Sequence, residues 1–65
     1  MKYKIEIWQW RSIADTYESD NVKDVVDWYK TNWQGLYESG NCSFIVYECG
    51  RELSFEETFE LGFYE

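Results

Sequence analysis

The chain begins with a strict alternation that then breaks. In residues 2–10, Tyr3, Ile5 and Ile7 mark one buried face, with Lys4 and Glu6 between them on a solvent face. Trp8 and Trp10 then take up the solvent parity. The pattern predicts a strand over 2–10 with a second apolar face at its C-terminal end. Gln9 to Ser12 predicts a tight turn, and residues 13–18, with Ile13 and Tyr17 on one parity, predict a returning strand.

The period then changes. Ser19, Asp20 and Asn21 are all competent helix caps. Val22, Val25, Val26, Tyr29 and Trp33 follow at i, i+3, i+4, i+7 and i+11, the stripe of an amphipathic helix. Gly35 predicts its end. Leu36–Tyr37 is expected to pack back before a turn at Ser39-Gly40-Asn41. Residues 42–48, CSFIVYE, are apolar on both parities and predict a strand, and Cys49-Gly50 turns the chain into a fourth strand reaching about Phe55. The tail is ambiguous. Leu53, Phe55, Phe59, Leu61 and Phe63 share strand parity, yet Ser54 with Glu57 forms a capping-box pattern and Gly62 a helix stop.

The expected architecture is an α+β domain spanning residues 1–65. A four-stranded antiparallel sheet, ββαββ, carries one helix packed on one face. A single helix covers only one face of such a sheet. Trp8 and Trp10 then need another cover: the 56–65 tail, a second copy of the chain, or a foreign protein.

Composition narrows the functional classes. The chain has 13 acidic and 6 basic residues, a net charge of −7, no His and no Pro. Such a chain repels phosphate backbones and anionic membranes, which disfavours direct nucleic-acid or membrane partners. It favours a protein partner with a basic surface. Without His, neither a cysteine nucleophile nor an acid–base pair has its usual partner, and no Gly-rich phosphate loop occurs; the chain is not expected to be an enzyme. Cys42 and Cys49, seven extended residues apart, are separated by roughly 23 Å at ~3.3 Å per residue, too far for a disulfide. They are expected to be free thiols in a reducing compartment. No cofactor and no zinc site are expected. MKYKIEIW lacks the apolar core of a signal peptide, so a cytoplasmic location is expected.

Two acidic clusters and one aromatic set are the candidate partner-binding residues. Asp20, Asp24 and Asp27 recur at helical spacing opposite the valines. Glu48, Glu52, Glu56, Glu57, Glu60 and Glu65 crowd the C-terminal third. Either cluster is a solvated surface or a phosphate mimic that enters a basic groove; the C-terminal one, relieved only by Arg51, is the better mimic. Trp8, Trp10, Tyr37 and Tyr47 supply the aromatic candidates, since Trp and Tyr anchor many interfaces. Trp28 and Trp33 read as core or core-edge residues of the helix.

Small size, the −7 charge, the lack of His and Pro and the ending FEETFELGFYE give a class-level likeness. In these the chain resembles the small acidic proteins by which bacteriophages and mobile elements inhibit host defence, anti-CRISPR proteins among them. The resemblance implies stoichiometric inhibition of a host nuclease or other nucleic-acid-handling enzyme, in the host cytoplasm. The alternative is a homo-oligomer that pairs its aromatic sheet faces across a two-fold axis.

Overall fold

The computed structural model describes residues 1–64. Strands β1 (Tyr3–Gln9) and β2 (Ser12–Ser19) form the first hairpin, followed by helices α1 (Val22–Asn32) and α2 (Gln34–Glu38). Strands β3 (Ser43–Glu48) and β4 (Arg51–Glu52) and helix α3 (Phe55–Glu60) complete the chain. The sheet is four-stranded and antiparallel, in the order β2-β1-β3-β4. The α+β class and the sheet agree with the sequence reading. The element order matches ββαββ approximately: among the described residues it is ββααββα, with two short helices, α2 and α3, added to the one expected.

Each boundary has a local cause. Asn21 caps α1, its side-chain oxygen accepting the Lys23 N–H at 3.0 Å. Asp24 in the first turn and Lys30 in the last complement the macrodipole. The helix breaks at Trp33, ahead of the predicted stop, and Gly35 lies inside α2. What stops α2 is Gly40, at φ +82. Its N–H reaches the Tyr37 carbonyl at 3.0 Å while the Asn41 N–H reaches Leu36 at 2.9 Å, a Schellman closure. Cys49 and Gly50 both have positive φ, as a type I′ hairpin turn requires.

The tail resolves in favour of the capping box. The Ser54 hydroxyl accepts the Glu57 N–H, and the Glu57 carboxylate accepts the Ser54 N–H in return. The fourth strand therefore ends at Glu52, short of the expected Phe55. Phe55 and Phe59, four apart, satisfy strand parity and one helix face alike, which is why the pattern was ambiguous. A second Schellman closure at Gly62 (φ +95) turns the chain so that Phe63 enters the core.

The core lies between the sheet and the helices. Ile5, Ile7 and Val46 on one sheet face meet Val25, Val26 and Tyr29 of α1, with Leu53 and Phe63 closing the edge. Tyr29 is the hub, its ring 4.5 Å from Phe44 and 5.8 Å from Phe63 by centroids. The register puts Lys4, Glu6, Trp8, Ile13, Ile45 and Tyr47 on the opposite face. None of the apolar residues in that set belongs to the core cluster.

Candidate functional site

Helix α3 brings together what the sequence kept apart. Phe55 and Phe59 lie one turn apart and are 65% and 58% exposed, unusual for large apolar side chains in so small a protein. Their centroids are 6.1 Å apart, and Tyr64 folds back to within 5.0 Å of Phe55 and 6.4 Å of Phe59. Glu56 and Glu60, also one turn apart, line a shallow depression with the two phenylalanines. The result is an apolar aromatic patch edged by two exposed carboxylates. Phe55, Phe59 and Tyr64 were absent from the sequence-derived aromatic set. The signal that could have found them was the capping box, which fixes the phase of the helix and places 55 and 59 on one side.

Glu57 belongs to the scaffold instead. Besides the Ser54 amide, it holds the Arg51 guanidinium through two bonds, at 2.8 and 3.1 Å. Those bonds, the Arg51 pair first, pull its carboxyl from the usual 4.5 down to about 2. It ties α3 to β4 and sets the presentation of its neighbours. Glu48 and Glu52, which bound β3 and β4, sit on opposite faces of the sheet: Glu48 pairs with Tyr3 and Glu52 with Tyr47. The C-terminal cluster thus divides, with Glu56 and Glu60 alone sharing a surface with exposed rings; Glu65 lies outside the described residues.

The Asp cluster also divides. Asp20 accepts the backbone N–H of Lys2 at 2.9 Å, and Asp24 accepts the Ser19 hydroxyl at 3.2 Å. Both brace the entry to α1 while staying exposed, and Asp27, exposed as well, lies farther along the helix.

The aromatic candidates separate in the same way. Tyr37 is a satellite of the core, packed edge-on against Tyr29 and Phe44, and does not extend an exposed surface. Burial, followed by Tyr64, pushes its phenol up. Trp8 and Tyr47 lie on the open sheet face and share one partner. The Trp8 indole N–H and the Tyr47 hydroxyl both donate to Glu6 Oε1, at 3.3 and 3.2 Å, while Lys4 Nζ lies 3.5 Å from Oε2. Glu6, read from the sequence as a marker of solvent, is only 9% exposed beneath them. Burial and then the Glu6 charge push the Tyr47 phenol up. Trp10 is not on this face. It forms the tip of the β1–β2 hairpin, fully exposed, at φ +62. The described part of the tail, through Tyr64, packs on the helix side of the sheet against the core and not over either tryptophan.

Cys42 and Cys49 are free. Burial pushes the Cys42 thiol up, opposite to what a nucleophile needs. Among the described residues, no three His, Cys, Asp or Glu groups stand close enough to hold a metal ion. No helix among them is long and apolar enough to cross a membrane. No protein-family model matches the chain, and no curated protein or solved structure matches it either.

Proposed function

We propose that the chain is a protein-binding module that docks the α3 surface against a basic, partly apolar surface of another protein. The observation that carries this reading is the exposure of Phe55 and Phe59 beside Glu56 and Glu60. Rings on a rigid helix supply contact area at little entropic cost, and rim carboxylates steer the encounter. With the −7 charge, the partner class it fits best is a nucleic-acid-handling enzyme, the chain acting as a stoichiometric inhibitor that occupies part of the basic groove. The class-level likeness to phage-encoded inhibitors of host defence points the same way.

The test is capture of such an enzyme and its competition by duplex DNA. Binding should weaken with added salt and be displaced by DNA. Removing either ring, Phe55→Ala or Phe59→Ala, should cost about 2 kcal/mol of affinity, as interface anchors do. Glu56→Ala with Glu60→Ala should slow association roughly tenfold without altering the fold. Salt-insensitive capture, or capture that DNA does not disturb, would remove the groove-occupying reading.

A second reading is favoured by the open sheet face, where Trp8, Ile13, Ile45 and Tyr47 have no helix above them. Two such faces paired across a two-fold axis would make a homodimer. Sedimentation velocity decides this: a monomer at all concentrations excludes it.

A further inference from the structure

The sheet has one long free edge. Strand β2 is outermost in the order and pairs only with β1, whereas β4 at the other end is two residues long. Natural edges are guarded by charged side chains, above all Lys, by Pro, a bulge or a covering loop, and the charges on this edge are the acidic Asp15 and Glu18. The chain has no Pro, β2 has no Lys or Arg, and Ser12 through Thr16 are all exposed. Two other guards remain. The register slips between Ile7 and Trp8, leaving Ala14 unpaired. Farther along, Asp15 Oδ1 accepts the Thr16 N–H at 2.8 Å. That bond turns the Thr16 amide away from β1, and strand alternation puts the Glu18 amide on the same free edge.

We propose that β2 accepts an extended Lys- or Arg-rich segment of another protein as a fifth strand, paired along Asp15–Ser19. The chemistry of the occupant follows from charge. Asp15 stands on the helix face, opposite Ile7, and Glu18 on the open face, opposite Lys4. Asp20 follows directly, and Asp24 and Asp27 lie on α1, which packs against β2. β2 itself holds no cation; those around it are Lys2, whose amide bonds Asp20, Lys4, drawn to Glu6, Arg11 in the hairpin turn, and Lys23 and Lys30 on α1. A second copy would bring the same cation-free edge and its own charge of −7 against this one, and the two would repel. A basic strand reverses that sign. As its carbonyl takes the Thr16 N–H, the Asp15 carboxylate is released to pair with an incoming cation. On the helix face, Tyr17 stacks on Trp28 with centroids 5.1 Å apart and planes at 10°. Both rings are half-buried, so they offer a flat shelf for a Lys or Arg stem. This edge shares no residue with the α3 surface, so either can fail without the other.

The test uses the intact chain, 15N-labelled, and a synthetic peptide of about eight residues alternating Lys with Val or Thr, the length of a common strand. Amide shifts should centre on β2, and hydrogen exchange should slow at Thr16 and Glu18. The affinity should fall roughly tenfold between about 50 and about 300 mM NaCl, as screening requires. A peptide N-methylated at its β2-facing residues should not bind. Thr16→Pro should abolish binding, since Pro is tolerated where the N–H faces outward. If that variant fails to fold, the N-methylated peptide on the wild-type chain decides the same question. Phe55→Ala with Phe59→Ala should bind the peptide normally, separating this edge from α3. Equal binding of the N-methylated peptide, shifts centred elsewhere, or no binding at millimolar peptide would overturn the proposal. Slowed exchange of these amides in a peptide-free dimer would overturn it in favour of a second copy.

Discussion

Trp10 combines two costs that rarely coincide. Its backbone sits in the left-handed region, which L-residues enter at about 1–2 kcal/mol, and its indole is wholly in water. So exposed a ring gains little from burial to set against either cost. Strain of this kind clusters at functional positions, and an exposed Trp on a hairpin tip is well placed to anchor a partner. Trp10→Gly is therefore expected to raise stability by up to about 1 kcal/mol, ~4–8 °C in Tm for a domain of this size, as read by thermal unfolding. Tyr29 presents the inverse case, a residue held tightly with one group left over. Its ring is the hub of the core, yet its hydroxyl is buried with no hydrogen-bond partner among the described residues. Burial pushes that phenol far above its usual range. Tyr29→Phe removes the orphan and keeps the ring packing, so it should stabilise the fold by about 1 kcal/mol in chemical denaturation.

At the scale of elements, α3 stands on one carboxylate. Glu57 is held ionised by Arg51 and the Ser54 amide, with its carboxyl near 2 in the fold against 4.5 ordinarily. Between those values the unfolded chain binds the proton and the folded chain does not, so stability falls as pH falls through this window. Above about pH 5 the contribution is fully present. Glu57→Gln should flatten that part of the profile, measured as Tm against pH from about 6 to about 2, and should loosen α3 first. The same element marks where the sequence was legible. The capping box at Ser54 and the stop at Gly62 could be read because each has a local chemical cause, whereas Gly35, the expected stop of the first helix, lies inside α2. The α1 stripe was legible for the same reason. The length of β4 was not, because Phe55 and Phe59 fit two periods at once. Nor was the role of Glu6, whose burial is made by Trp8, two residues on, and Tyr47, on another strand. The acidic candidates failed similarly: spacing placed Asp20, Asp24 and Glu57 in clusters, but hydrogen bonds to Lys2, Ser19 and Arg51 assigned them to the scaffold.

For the whole molecule the relevant quantity is a charge of −7 on 65 residues. Only two ion pairs are present among the described residues, Lys4–Glu6 and Arg51–Glu57, so most of the charge is unrelieved. Self-repulsion acts on the compact state more than on the expanded one, and it is screened within about 8–10 Å at ordinary salt. The two salt effects on this chain then have opposite signs. Raising NaCl from about 10 to about 300 mM should raise the Tm of the free chain by ~4 °C, under 1 kcal/mol, as repulsion is screened. Over the same range a basic partner should be lost, because the attraction that recruits it is screened as well. A chain that becomes both more stable and less sticky with salt is using its charge for recognition. If instead salt stabilises the fold and leaves capture intact, the apolar rings carry the affinity alone, and the carboxylates on α3 serve only to keep Phe55 and Phe59 in water until a partner arrives.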